Sequence, residues 1–409
     1  MSGTVQSSAS RPNLNLRVTA VALVFMVAAA MNLASPAAQA QTFTTLYNFT
    51  GNTDGGMPSA GLSMDRAGNL YGTASAGGNR ICRPTCGTVF KLTPKGSGWV
   101  FSRIYAFSGM DGDTPEGGVI VGPDGNLYGT TMHGGASELG VVFRLQPPPT
   151  ICKAFLCSWN ETVLHSFSGA DGAYPYFGSL VFDKAGNIFG TTSGGGTFGL
   201  GAVYELSPSS GGWTEEVIYS FQPGQDAAYP YAGVVFDSAG NLYGTTTGGG
   251  TTGSGTVYEL SPSNGGWTES VIYDFPGNSG GAIPFGGVIV DGSGNLYGTT
   301  FEGTTPAFEL SPSDGSWTLK VLHEFDAYEG PAASLSFDSA GDLLGTVAMG
   351  SLEVFRLTPS NGQWTLTGFS GSDGGSPVST VIEDAKGNLY ATASVGGTFG
   401  QGVVFEIMP

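Results

Sequence analysis

The sequence predicts an all-β fold, a seven-bladed β-propeller of four-stranded antiparallel blades. Three observations predict it. The hexamer Gly240-Asn241-Leu242-Tyr243-Gly244-Thr245 returns, with small edits, at 68–73, 125–130, 186–191, 294–299, 341–346 and 387–392. Successive copies begin 57, 61, 54, 54, 47 and 46 residues apart, a period that suits propeller blades and is too long for solenoid coils. Each period has room for four short strands, and helical periodicity is absent throughout.

The fourth unit shows the elements in order. Residues 213–221, from Trp213 to Phe221, alternate large and polar side chains as a half-buried strand does. A loop with Asp226 and Pro230 leads to Gly233-Val234-Val235-Phe236, a short apolar run of buried-strand type. Asp237-Ser238-Ala239-Gly240-Asn241 is a tight turn, in which Asp accepts from backbone and Gly supplies positive φ. Residues 242–246 form the next strand, a Gly-rich loop occupies 248–255, and 256–260 form the last. Ser261-Pro262 and Gly265-Gly266 are expected to turn the chain back to Trp267. With the Gly-Val-Val-Phe strand innermost, the Trp-type strand is outermost. The opening segment 43–49 resembles a Trp-type strand without its Trp, and the chain stops at 404–409, in register with 257–262. The N-terminal strand is therefore expected to complete the seventh blade and close the ring, removing exposed sheet edges.

The Gly-Asn-Leu-Tyr-Gly-Thr-Thr core, the Gly-Gly loop behind it and the Val-Tyr/Phe-x-Leu-x-Pro strand resemble the GloVer (Gloeobacter–Verrucomicrobium) tandem-repeat family of bacterial proteins. The resemblance covers essentially all of 43–409, and the units are also loosely similar to NHL-type propeller blades. It implies a secreted or surface protein and brings no established activity. Many members of that family carry a C-terminal sorting anchor; this chain ends on a blade strand, so that route of anchoring is not expected.

Residues 1–40 read as an export signal. Arg11 and Arg17 precede an apolar run from Val18 to about Met31, and Ala38-Gln39-Ala40 supplies a cleavage site. An uncleaved anchor is the alternative, but the run is short for a membrane span and polar residues follow it. The mature chain, 41–409, then forms one domain, secreted to the periplasm or beyond and expected to be a monomer without a membrane span. Loss of Arg11 and Arg17 leaves 12 basic residues against 32 acidic ones, a net charge of −20. Such a surface repels nucleic acid and anionic membranes. Cys82 and Cys86 lie in one loop, Cys152 and Cys157 in the insertion that lengthens unit two. Local disulfides 82–86 and 152–157 are expected in an oxidising compartment; a metal site is the alternative, though no Cys has a His nearby. Unit six is degenerate: its hexamer is Gly341-Asp342-Leu343-Leu344-Gly345-Thr346, and the following Trp364 strand is shortened.

A catalytic group should break the repeat, whereas a structural group should recur with it. All six Trp recur at one position and are packing residues. His165 and His323 stand where other units have Tyr105, Tyr219 and Tyr273. The Asp before the hexamer (Asp65, Asp183, Asp237, Asp291, Asp338, Asp384, with Gly122 the exception) is turn chemistry. The loops that lead to the inner strands carry Asp54, Asp111, Asp171, Asp226 and Asp373, each followed four residues later by Pro. Directly after Pro come Tyr176, Tyr231 and Phe285 in three consecutive units, with Glu116 in the unit before. In a propeller these loops and the Gly-rich loops emerge on one face, around the channel mouth. The candidate ligand-binding residues are therefore Tyr174, Tyr176, Tyr229, Tyr231, Phe285, Asp171 and Asp226. Aromatic faces beside carboxylates suit stacking on sugar rings and hydrogen bonds to hydroxyls. The competing reading wedges the rings between blades and has each Asp cap its own loop.

Glu116, Asp111, Asp113 and His133 are the acid–base candidates, because unit two departs most from the others in polarity; no Ser or Cys nucleophile is paired with His133. No cofactor and no metal centre is expected. Calcium is the alternative for these Asp residues, yet no Asp ladder appears, and Asp111-Gly112-Asp113 is the closest local pair. The favoured function is a binding propeller for a glycan or a protein partner. A propeller-type lyase or glycoside hydrolase and a structural envelope protein are the alternatives.

Overall fold

Each hexamer becomes the second strand of a four-stranded antiparallel sheet, and seven such sheets form a ring, a seven-bladed propeller. The computed structural model describes residues 1, 3, 42–82, 85–149, 158–224, 226–277, 281–303, 305–326, 329–348, 354–360, 363–369 and 374–408. The leader expected over 1–40, apart from residues 1 and 3, and the Cys152–Cys157 pair lie outside them. No described helix is long and apolar enough to cross a membrane.

Blade 4 runs from the inside outward as Val235–Phe236, Leu242–Thr246, Thr256–Ser263 and Gly266–Asp274. The last sheet takes Ile382–Glu383, Leu389–Ala393 and Val403–Met408 from the end of the chain and Thr42–Asn48 from its start. One expectation needs correction. Ser261 and Pro262 do not turn the chain; they extend the third strand and pair with Thr268 and Trp267. The second strand has already ended opposite Leu260, so Pro262 sits on a free edge, where its missing N–H costs no ladder bond.

The repeat residues explain the packing. Seven rings on the third strands (Phe90, Phe143, Tyr204, Tyr258, Phe308, Phe355, Phe405) are essentially fully buried, each worth on the order of 2 kcal/mol in transfer terms. Each lies over the hexamer's second glycine, or over Ala391 in blade 7. A methyl group on Gly298 would stand 2.7 Å from Phe308 Cζ. The glycine that opens the third strand seats the next blade: Gly255 has φ +94°, and a methyl there would be 2.8 Å from the Pro284 ring.

Hexamer threonines stitch neighbours together. Thr73 Oγ1 donates to Gly117 O at 3.0 Å, Thr191 to Ala232 at 2.8 Å, Thr245 to Gly286 at 2.9 Å and Thr346 to Ser379 at 3.0 Å. Thr392 donates to Ala60 O at 2.9 Å, joining the last hexamer to the first unit. The apolar core lies at these junctions: Tyr243 and Val257 of blade 4 cluster with Val288, Leu296 and Phe308 of blade 5. Trp317 meets Tyr243 edge-on at 5.9 Å in the same cluster, as a packing residue should.

The turn aspartates cap their own hairpins. Asp237 accepts from Asn241 N and Nδ2 at 2.9 Å and from the Tyr243 hydroxyl at 3.3 Å. In blade 2, where Gly122 breaks the pattern, Asp124 accepts from Asn126 and Tyr128 instead. Cys82 and Cys86 are joined by a disulfide.

Candidate functional site

In six blades the loop leading to the inner strand passes through a strained point at the rim of the channel. The residue before Pro has positive φ in six units: Met57, Thr114, Tyr174, Tyr229, Ile283 and Ser376. That conformation is unfavourable for a side-chain-bearing residue, and two backbone bonds hold it. Tyr229 N donates to Leu200 O of the preceding unit at 2.8 Å, while Tyr229 O accepts from Thr247 N of its own blade at 3.0 Å. Tyr174 does the same with Leu139 and Ser193. The chain then turns inward, so that the residue after Pro sits at the mouth of a central cavity of about 680 Å³.

Seven equivalent positions make this rim: Ser59, Glu116, Tyr176, Tyr231, Phe285, Ala332 and Val378. Six of them line the cavity directly, and Glu116 joins through Ser59, whose Oγ donates to Glu116 Oε2 at 2.5 Å. The rim has three arcs, one polar, one aromatic and one small and apolar. In the aromatic arc Tyr176 and Tyr231 have centroids 5.0 Å apart at 47°, and Tyr231 and Phe285 stack at 5.7 Å and 29°. Phe301, from the Gly-rich loop of blade 5, meets Phe285 edge-on at 5.0 Å and extends the ladder.

The polar arc adjoins this ladder. Burial raises Glu116 above the usual carboxylate range, against the opposing pull of Ser59, Ser75 and His133. Burial, then the Glu116 charge, then Tyr231 raise the Tyr176 phenol. His133 stands edge-on to Tyr174 at 5.4 Å, and its backbone exchanges two 2.9 Å bonds with Asp113. The structure thus gathers Glu116, His133, Tyr174 and Tyr176, with Tyr231 and Phe285 beyond them. Tyr229 is exposed on the loop that carries Tyr231.

The loop aspartates are employed elsewhere. Asp111 accepts from the Tyr105 hydroxyl and from Ser108 N. Asp171 accepts from Ser168 N at 2.8 Å and pairs with His165 Nε2 at 3.0 Å; Asp226 accepts from the Tyr219 hydroxyl and Gln222 N, each at 2.8 Å. Each caps its own loop and ties it to the outer strand. Asp113 takes a bond from the Thr114 hydroxyl beside it.

One set of titratable groups escaped the sequence reading. Glu161, Glu215 and Glu269 lie two residues after Trp159, Trp213 and Trp267, on the outer strands of blades 2, 3 and 4. Burial first, and then the charge of Asp111, Asp171 or Asp226 on the preceding loop, raise each to about 7. The available signal was Glu at this position in three consecutive units, where the others carry Phe101, Leu319 and Leu366. Ligand atoms of His165, Asp171 and Glu215 fall within 4.8 Å of one another. The flanking junctions repeat the carboxyl pair with Tyr105 or Tyr219 in the histidine's place, which marks the cluster as a variant of a packing motif.

The sequence signature described as the Gloeobacter/Verrucomicrobia repeat matches residues 33–162 and 150–353. No curated protein matches the chain in sequence. Among solved structures, the extracellular domain assigned to a hybrid two component system of B. thetaiotaomicron is 12% identical with a TM-score of 0.56, over 89% of this chain and 39% of that one. A protein assigned as a 6-phosphogluconolactonase, from Bacteroides uniformis, is 14% identical with a TM-score of 0.51, over 78% and 87%. PorZ, a surface component of the type-IX secretion system of Porphyromonas gingivalis, is 14% identical with a TM-score of 0.50, over 85% and 46%. At these identities the likeness is one of fold.

Proposed function

The chain belongs to the Gloeobacter/Verrucomicrobia repeat family, and on that footing we propose that it is an exported binding propeller that holds a carbohydrate at the mouth of its central channel. One observation carries this reading. At a position filled in the other blades by Ser59, Glu116, Ala332 and Val378, three consecutive blades present Tyr176, Tyr231 and Phe285 as a ladder of rings, flanked by the Glu116 carboxyl. Sugar rings stack on such faces through their C–H surfaces, while a carboxyl and two phenols take their hydroxyls. The test replaces Tyr176 and Tyr231 by Ala. Affinity for the retained oligosaccharide should fall at least tenfold with the melting temperature within a few degrees of the parent, since both rings are half-exposed at the rim. Undiminished affinity would refute the assignment.

A second reading has an observation of its own. Glu116 is raised by burial and lies near His133, which is the pairing that acid–base cleavage of a glycan needs. On that reading Glu116→Gln abolishes turnover and leaves binding in place.

A further inference from the structure

We propose that the channel beneath the rim is the seat of an apolar tail, so that the ligand is an amphiphilic glycoside: a sugar head on the aromatic arc and an alkyl or aryl aglycone inside the propeller. The inference rests on the carbohydrate reading for its head and on separate observations for its tail.

The cavity is about 680 Å³, within the usual size range of small-molecule sites. Although the chain carries 32 acidic and 14 basic residues, no Asp, Glu, Lys, Arg or His lines the cavity among the described residues. Its wall is built from the inner strands, with Leu62, Ile120, Val181, Val235, Ile289 and Leu335 contributed one per blade. Glycines between them bring backbone close without adding polar side chains.

Two of the few hydroxyls in that wall are already engaged. Ser63 Oγ donates to Val119 O of the next blade, and Ser334 Oγ accepts from Gly287 N at 2.8 Å. Ser59 is turned to Glu116 at the rim. A chamber so lined holds water poorly and takes apolar groups readily. The carboxyl and the phenols that could hold a head are at one end, Glu116 beside Tyr176 and Tyr231, so the geometry orients an amphiphile head outward and tail inward.

The experiment is calorimetric titration of the purified protein with methyl, butyl, hexyl and octyl glucosides below their micelle concentrations. Affinity should rise about threefold to fourfold per methylene. Ser179→Trp, which fills the cavity from an exposed wall position in blade 3, should flatten the series, and Thr380→Trp should do so from blade 7. Equal affinities along the series would overturn the tail site and leave the carbohydrate reading standing. So would a rise that both tryptophan variants preserve, since it would place the tail outside the channel. Binding of 1-octanol without binding of any glucoside would keep the tail site and remove the sugar head. Binding of neither octanol nor any glucoside would overturn both.

Discussion

Glu161, Glu215 and Glu269 give this protein its most direct pH dependence. Each is held at about 7 by burial and by a neighbouring aspartate, against 4.5 for an unperturbed glutamate. The folded chain therefore binds more protons than the unfolded chain between those values. The stability these groups add is complete below about pH 4.5 and is lost as the pH rises through 7. Asp65, Asp291 and Asp384 act in the opposite direction. Burial would raise them, but hydrogen bonds from Asn69, Asn295 and Asn388 among others bring them below their ordinary value, so their contribution is lost in acid. Thermal unfolding should accordingly show a maximum in acidic solution near the ordinary glutamate pKa and a decline from there to about pH 7, flattening above it. Replacing the three glutamates by Gln should flatten that decline, and an unchanged slope would show that the pairs do not titrate in this range. These pairs were hard to read from sequence because each joins residues of two different blades. Asp111 and Glu161 are 50 positions apart, and nothing local marks them as neighbours. The bonds of the loop aspartates were hidden for a related reason. An Asp in a loop facing the channel mouth suggests a ligand contact, but Asp171 and Asp226 are satisfied by His165, Tyr219 and their own loop backbone.

At the level of the blade, unit six departs from the pattern in every layer. Asp342 replaces the hexamer's Asn and Leu344 its Tyr, so the hydrogen bond that a phenol makes to the turn aspartate in blades 1, 2, 4, 5 and 7 is gone. Arg356 Nε stands 3.1 Å from Asp338 Oδ2 in partial compensation, in ion-pair contact and off the direction of a hydrogen bond. The outer strand, Gln363–Phe369, has seven residues against nine in blades 3, 4 and 5, and it pairs straight, without the bulge those blades carry. Blades 5 and 6 meet across a cleft of about 570 Å³ lined by Tyr297, Phe337 and Trp364. Local opening should therefore begin here. In native-state hydrogen exchange, amides of Leu344 and Phe355 should exchange well before those of Tyr243 and Tyr258 in blade 4; equal protection would contradict this. Blade six could be singled out from sequence because a repeat exposes its own exceptions. The small ladders on the mouth face, Ala227–Ala228 with Gly248–Gly249 and Gly374–Gly375 with Val395–Gly396, could not. Their residues are small and turn-like, and only the closure of two loops on each other makes them strands.

For the whole molecule, the architecture was legible because seven copies of one hexamer state the same local rule, and each rule has a packing consequence. Glycine makes room for a ring, the hexamer threonine reaches the next blade in five blades, and in five a glycine just before the third strand seats the next blade's proline. The ends of the chain meet by the same rules: Phe49 N donates to Gly402 O at 3.0 Å, Met57 N to Gln401 O at 2.8 Å, and Phe43 stacks on Phe405 at 4.8 Å. The rim was half legible. Tyr176, Tyr231, Phe285 and Glu116 stood out against the repeat, whereas Ser59, Ala332 and Val378 look ordinary until the ring sets them at the same height. The apolar channel was not legible, since an inner strand reads the same whether its wall faces a filled core or an open cavity.

On the function proposed above, this rim binds a carbohydrate without transforming it. The most direct measurement incubates the purified protein with a panel of plant and bacterial oligosaccharides, with and without calcium, and follows retained ligand and released product together by mass spectrometry. An oligosaccharide should be retained at its original mass and lost from the Tyr176→Ala, Tyr231→Ala variant, with or without calcium. A product of lower mass, abolished by Glu116→Gln, would contradict it and make the polar arc a catalytic site.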